Sequence, residues 1–393
     1  MDHQQIKEQF LLNPRVTFLN FGSFGAAPKP VFERYQALQM EMERDPVQFI
    51  TNRGLGYLRQ SRFALAEFLH CDADDLVMVT NPSYAVNTIA KSLQLSAGDE
   101  ILTTDLEYGA CDRTWRFVCE AAGAKYIRQP ISLPLVDKEN FVQELFAGVC
   151  NKTKIIFISH ITSTTALILP IKEVVNRAKS LGIGVFIDGA HVPGHIDLDL
   201  TELDVDYYTG ACHKWMMTPK GSSFMYIKRA LQDKVYPLVV SWGYDAMFPS
   251  ASKYQDWHTM NGTRDYTAFL CIPEAIDFMK KYDWKAVSHS CKALVKANAA
   301  TFAKILNSQV LAPMTNEFIG QMLAVPIQTR EPELLYKKLV EEYQIEIPVM
   351  RHDNKVFIRY SINGFNGQAD LDALFDALGD IKRRGVLIGS GLI

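Results

Sequence analysis

From about Phe18 onward the chain alternates short apolar runs with stretches whose apolar residues recur every three or four positions. DLVMVT (75–80), DEILTTD (99–105), KYIRQP (125–130), TKIIFISHI (153–161), GVFID (184–188) and VDYYTGA (205–211) have the length and apolar content of buried strands. Between them, SYAVNTIAKSLQL (83–95), ACDRTWRFVCEAAG (110–123) and PIKEVVNRAKSLG (170–182) predict helices. The second closes on glycine; the third has proline near its start and glycine at its end. Such alternation predicts an α/β fold, a mostly parallel sheet with helices on both faces. Ligands bind such sheets beyond the carboxyl ends of the strands. Asp188, Lys214 and the loops after Thr80, Asp105 and His160 are five segments expected to converge on one crevice.

The pattern changes after about Gly262. ALVKANAATFAKIL (293–306), EPELLYKKLVEEY (331–343) and QADLDALFDALGDIKRRG (368–385) predict helices, and MLAVPIQ (322–328) and KVFIRYSI (355–362) predict strands. The expected organisation is an N-terminal arm (1–18), a large α/β domain (19–262) and a small C-terminal α+β domain (263–393). A loop from Trp242 to Asp265 would join the last two. The closing GVLIGSGLI is apolar and glycine-rich and suggests packing alone.

Composition narrows the class. Of 393 residues, 48% are apolar and 22% charged, as in an ordinary globular chain, and the length accommodates a large and a small domain. A net charge of −3, with no basic run and no acidic tail, gives no footprint for nucleic acid or an anionic membrane. The first residues lack a signal-peptide pattern, and IIFISHITSTTALILP is too short and too polar to span a bilayer. Seven scattered cysteines without a C-x-x-C point to reduced thiols in a cytoplasmic setting, not to a disulfide frame or a structural zinc.

The chemistry concentrates in VFIDGAHVPGH (185–195) and DVDYYTGACHKWMMTPKGSSFMYI (204–227). One strand ends on an acid, Asp188; the next delivers His213, Lys214 and Trp215. Pyridoxal phosphate needs this pair: a lysine amine that condenses with its aldehyde, and a carboxylate that keeps the ring nitrogen protonated. A lysine after a strand is more often a solvated charge, and an acid there also serves as a helix N-cap. Lys214, however, sits in an uncharged run, where a buried charge must be paired or neutralised. Asp188, His191 and His195 could share one face of a helix as metal ligands. Pro193 and Gly194 break that helix, so no metal is expected.

Eight segments, in order along nearly the whole chain, resemble the class V aminotransferase family of fold-type I pyridoxal phosphate enzymes. They are LNFGSFGAAPKPV (19–31), NPSYAVN (81–87), LEYGA (106–110), SHITSTTALILPI (159–171), DGAHVPGHIDLDL (188–200), HKWMMTPKG (213–221), NGTRD (261–265) and FIRYSINGFN (357–366). The branch most resembled holds isopenicillin N epimerase-like proteins and hercynylcysteine sulfoxide lyases. The resemblance implies a seven-stranded-type sheet and a homodimer with shared active sites. It implies that Lys214 binds the cofactor and then moves the α-proton, that Asp188 pairs with the ring nitrogen, and that His191 and Ser163 face the ring oxygen. Tyr108 would stack on the ring; Asn81, Ser83 and His213 would hold the phosphate, with Gly262 and Thr263 reaching the neighbouring subunit's phosphate. Arg359 would clamp the α-carboxylate of an amino-acid substrate, with Asn20 and Ser23 lining that side.

The same resemblance separates reactions. Desulfurases of this family carry a mobile-loop cysteine just before the carboxylate arginine; IEIPVMRHDNKVFIRYS (345–361) has none. The expected reaction is C–S β-elimination from a cysteine conjugate or sulfoxide, with epimerisation or transamination as alternatives. Two readings of other classes are a catalytically silent binding protein, opposed by the intact Lys214 and Asp188 pair, and a metal hydrolase.

Overall fold

The computed structural model describes residues 3–385 except 248 and 251; most of the apolar C-terminal stretch therefore lies outside the described residues. A seven-stranded sheet forms the centre of the large domain. Named by first residue, its strands run Leu76, Ser223, Tyr207, Gly184, Thr153, Glu100, Lys125. Only Ser223–Ile227 is antiparallel to its neighbours; the others point one way. Strands such as Leu76–Val79 and Tyr207–Ala211 are buried at every position, which explains their unbroken apolar runs.

Helices cover both faces. On one, Pro82–Ser92 and Gly109–Ala122 pack over Phe157 and Phe186, with the Trp115 ring tilted against Phe157 at a centroid distance of 5.3 Å. On the other, Val174, Val175 and Ala178 of Ile171–Ser180 meet the core that holds Ile156, Ile158 and Ile187. Ser159, Asp188 and Thr209 lie side by side in register at the carboxyl ends of three adjacent strands.

The smaller sheet is antiparallel, in the order Val349–His352, Lys355–Ser361, Met322–Ile327. Helices Trp284–Ile305, Pro332–Glu341 and Gln368–Arg383 accompany it. The amino-terminal segment belongs to this region by pairing: Thr17–Phe18 runs parallel to Ile345–Glu346, and Ser361 N–H donates to Leu19 O. The chain then crosses to the large domain through Asn20–Gly25. Gly25 has φ +63°, and a Cβ there would lie 2.3 Å from His213 O and 2.6 Å from Lys214 O. Only glycine lets this loop press so closely on the backbone of Lys214.

Candidate active site

Asp188 closes its strand with the carboxyl group buried. Oδ1 accepts the Ala190 N–H at 3.0 Å, and the Cys111 thiol donates to Oδ2 at 3.5 Å. Burial raises the Asp188 pKa; the Ala190 N–H and the Lys214 charge oppose that rise. Lys214 follows the strand Tyr207–Ala211, with Nζ 3.2 Å from His191 Nε2. Desolvation lowers its pKa to about 8, although Asp188 pulls the other way. Roughly a tenth of its amine is therefore neutral at pH 7, far more than for an ordinary lysine, and the neutral form is what a nucleophile requires.

His191 is held between two neighbours, because the Trp215 indole N–H donates to its Nδ1 at 3.4 Å. Burial, then the Lys214 charge, keeps His191 well below the ordinary histidine pKa, so the ring is neutral. Four residues on, His195 stacks on Trp215 with ring centroids 4.1 Å apart. Both its ring nitrogens bond to the backbone, of His191 and of Gln321, so they are already engaged and unavailable as metal ligands.

Arg359 is among the largest fully buried side chains of the described residues. It is 1% exposed, yet among the described residues no carboxylate lies within ion-pair distance of it. Nη1 donates to Ser163 O and Nη2 to Ser23 Oγ at 3.3 Å; Nε has no partner among the described residues. Burial lowers its pKa to about 10. A buried guanidinium held only by neutral oxygens lacks a counter-ion, and a planar carboxylate is the group its donors match. Ser23 also donates to Asn20 Oδ1 at 2.5 Å, and Asn20 Nδ2 donates to Glu346 Oε1 at 2.9 Å. Asn20, Ser23, Ser163 and Arg359 thus form one connected wall.

The amino end of the helix Pro82–Ser92 forms another. Asn81 caps it, its Oδ1 accepting the Tyr84 N–H at 2.9 Å, while Pro82 contributes no donor, which leaves Ser83 as the first free N–H. His213 donates Nδ1–H to Ser222 O at 2.9 Å, and burial lowers its pKa to about 4. Tyr108 precedes the helix Gly109–Ala122 and is 49% exposed, open to anything bound above the strand ends. Gly262 and Thr263 lie apart, exposed on the surface of this chain, although neighbouring Asn261 Nδ2 donates to Tyr84 OH at 3.2 Å.

Glu107 and Cys111 carry no signal in the sequence pattern. Glu107 is buried and accepts from Thr104 Oγ1 at 2.7 Å, Ser159 N at 2.9 Å and Ser159 Oγ at 2.6 Å. Burial raises its pKa to about 8, against the pull of those donors. An acid read from sequence defaults to solvent, and only the fold puts this one beside the Asp188 strand.

A mostly parallel sheet with a small carboxy-terminal domain, and a buried lysine and carboxylate at its strand ends, defines a fold-type I pyridoxal phosphate protein. The chain belongs to the class-V aminotransferases, whose profile matches residues 27–374. It is 32% identical to an isopenicillin N epimerase from Streptomyces clavuligerus, over 96% of this chain and 98% of that one. It is 24% identical to a probable chloroplastic L-cysteine desulfhydrase from Arabidopsis thaliana, over 95% and 84%. Among solved structures, a cystine C–S lyase in complex with its product cysteine persulfide superposes with a TM-score of 0.81 at 21% identity, over 93% of this chain and 98% of that one. The Escherichia coli cysteine desulfurase CsdA gives 0.81 at 20% identity, over 99% and 100%. The two structural likenesses concern the fold.

Proposed function

We propose that this protein is a C–S β-lyase acting on a cysteine-derived conjugate or sulfoxide. The observation that carries the amino-acid substrate is Arg359, a buried guanidinium with an orphaned Nε and no carboxylate partner among the described residues. It would bind the α-carboxylate, backed by Ser23 and Asn20. The residues also fit pyridoxal phosphate. Asp188 would hold the ring nitrogen, and His191, with Ser163 nearby, the ring oxygen. Tyr108 would lie over the ring face. Asn81, Ser83 and His213 would take the phosphate at the start of an eleven-residue helix.

When bound, the cofactor supplies an aldehyde for the substrate amine and a ring that stores the electron pair left by the α-proton. Lys214 takes that proton, its basicity near neutral pH set by burial. Loss of the β-sulfur substituent completes an elimination without a further base. The other groups acting most strongly on Lys214 are Asp188, Arg359 and Cys111. The first is committed to the ring, the second is a cation, and the third is held as a thiol well above its ordinary pKa. None of the three is a free base beside Lys214, and elimination needs no base beyond Lys214.

The segment before Arg359 supports the same reading. Val349–His352 pairs directly with Lys355–Ser361 in a tight hairpin turning at Asp353 (φ +49°), with no cysteine in it. A desulfurase-type loop nucleophile is absent there. Epimerisation is the second reading, favoured by relatives named isopenicillin N epimerase at 32% and 31% identity.

The active form we propose is a homodimer in which Gly262 and Thr263 of one subunit reach the phosphate of the other. Seven free cysteines support a reducing, cytoplasmic compartment. No helix among the described residues is long and apolar enough to cross a membrane.

Proton NMR of the holoenzyme in heavy water, with a panel of amino acids and cysteine S-conjugates, tests the reaction. Pyruvate, ammonia and a released thiol are the expected products. Exchange of the α-proton for deuterium with accumulation of the enantiomer would establish epimerisation instead.

A further inference from the structure

We propose that His195 is a positioning residue that fixes the carboxylate clamp relative to the cofactor residues. This inference rests on the reading of Arg359 as the α-carboxylate site.

The His195 ring has one possible protonation pattern. Its Nε2 lies 2.6 Å from Gln321 N, and a backbone N–H can only donate, so Nε2 is the acceptor. Its Nδ1 lies 2.9 Å from His191 O, which can only accept, so Nδ1 carries the proton. The ring is therefore a neutral strut with a donor at one end and an acceptor at the other. Burial lowers its pKa to about 3, which keeps that pattern throughout the working range. The fit is close on every side. Trp215 stacks on one face, and a Cβ on Gly320 would come within 2.3 Å of Nε2.

The two ends of the strut belong to different parts of the molecule. His191 contacts Lys214 and Trp215 in the large domain. Gln321 immediately precedes Met322–Ile327 of the small sheet, where Ala324 is paired with Arg359. Gln321 Nε2 donates to Ile362 O at 2.9 Å, and Ile362 N–H donates back to Gln321 O at 2.8 Å. Gln321 thus grips the Arg359 strand just past its end. Ser288 locks the joint, donating its hydroxyl proton to Gln321 Oε1 at 2.7 Å with His195 O also in reach at 3.2 Å. The path from Lys214 to the Arg359 strand runs through two histidine side chains and one glutamine. A displacement of about 1 Å between a clamp and a reacting centre costs on the order of a hundredfold in rate.

The test compares binding of L-alanine and of ethylamine to the holoenzyme, read from the visible spectrum. The two differ by the carboxylate. Wild type is expected to bind L-alanine far more tightly, and Arg359→Lys to lose most of that preference. His195→Phe keeps a stacking ring but has neither bond. It should reduce the preference by roughly tenfold or more while ethylamine affinity holds. His195→Asn, a milder change for use where the phenylalanine variant does not fold, should reduce it in the same direction. His195→Gln, with an amide donor and acceptor, should recover much of it. If His195→Phe or His195→Asn lowers the Tm but leaves the alanine-to-ethylamine ratio at the wild-type value, His195 is only structural and the proposal is wrong. If wild type itself shows no preference, the Arg359 reading fails and takes this one with it.

Discussion

The Cys111 thiol lies 3.5 Å from Asp188 Oδ2, and both groups are buried. Burial first, and Asp188 second, hold Cys111 well above the ordinary thiol pKa, so it is a donor at every working pH. It is a weak donor, but Oδ1 has only the Ala190 N–H, and each bond favours the charged carboxylate that the ring nitrogen needs. Cys111→Ala should weaken cofactor retention by about threefold to tenfold, the worth of one modest hydrogen bond. Cys111→Ser, with a better donor, should retain the cofactor as well as wild type. Equilibrium dialysis against free pyridoxal phosphate measures both; equal loss in the two variants would show that packing, not the bond, is responsible.

Lys214 should titrate near 8 in the cofactor-free protein, because desolvation disfavours its charge. The neutral amine is the reactive form. The rate of cofactor uptake should therefore climb with pH up to about 8 and level off above it, whereas an ordinary lysine would go on gaining to ~10.4. Stopped-flow absorbance across pH 6–10 follows this. Lys214→Ala should hold no cofactor through borohydride treatment and denaturation.

Glu107 makes stability pH-dependent in an unusual direction. Unfolded, it releases its proton near the ordinary glutamate value of ~4.3; folded, it holds the proton up to about 8. Between those values the native state binds the extra proton, so stability falls as pH rises. Glu107→Gln keeps the shape without the acid. Its Tm relative to wild type should improve progressively from about pH 5 to pH 8 and stay constant above that. A difference independent of pH would show that Glu107 does not titrate in this window.

The segment after Val235 exposes an apolar surface uncommon on a monomer. Trp242 is 74% exposed, Met247 73% and Val240 68%, beside Tyr236 and Tyr244, which stack on Trp257 at 5.7 and 5.3 Å. Such patches mark interfaces. Sedimentation of wild type should give a dimer, and Val240→Glu with Trp242→Glu should shift it toward monomer and reduce cofactor retention together. A wild-type monomer with full activity would sink the shared-site reading.

Much of the large domain is legible because its strands are buried on both faces and its helices carry their own stop signals. GVFID ends on Asp188 as its pattern implies, and the helix after Asp105 stops at Gly123. Ser223–Ile227 is a different matter: nothing in SSFMYI distinguishes an antiparallel insertion from one more parallel strand. Thr17–Phe18 is a two-residue strand whose only strand partner among the described residues is Ile345–Glu346, so no local window contains the reason for it. In the site, Lys214 and Asp188 stand out because charges are scarce in their surroundings. Glu107 does not, since an acid beside a helix start looks solvated until Thr104 and Ser159 close over it. Pro193 and Gly194 already argue against His195 as a metal ligand, but what its ring does instead depends on Gln321, 126 positions away.

The pairing of Thr17 with Ile345 also imposes an order on biosynthesis. While the chain emerges from the ribosome, the first strand has no sheet to join, although the strands of the large domain can already assemble behind it. Its partner appears only when most of the polypeptide has been made, and long-range pairing of this kind is slow. The loop from Asn20 to Gly25, which leans on the backbone of Lys214, is anchored by that same strand. A nascent or truncated chain can thus carry both Lys214 and Asp188 and still lack the wall that completes their chamber. The wall beside Lys214 is thus closed by a strand that is made long after the loop it anchors.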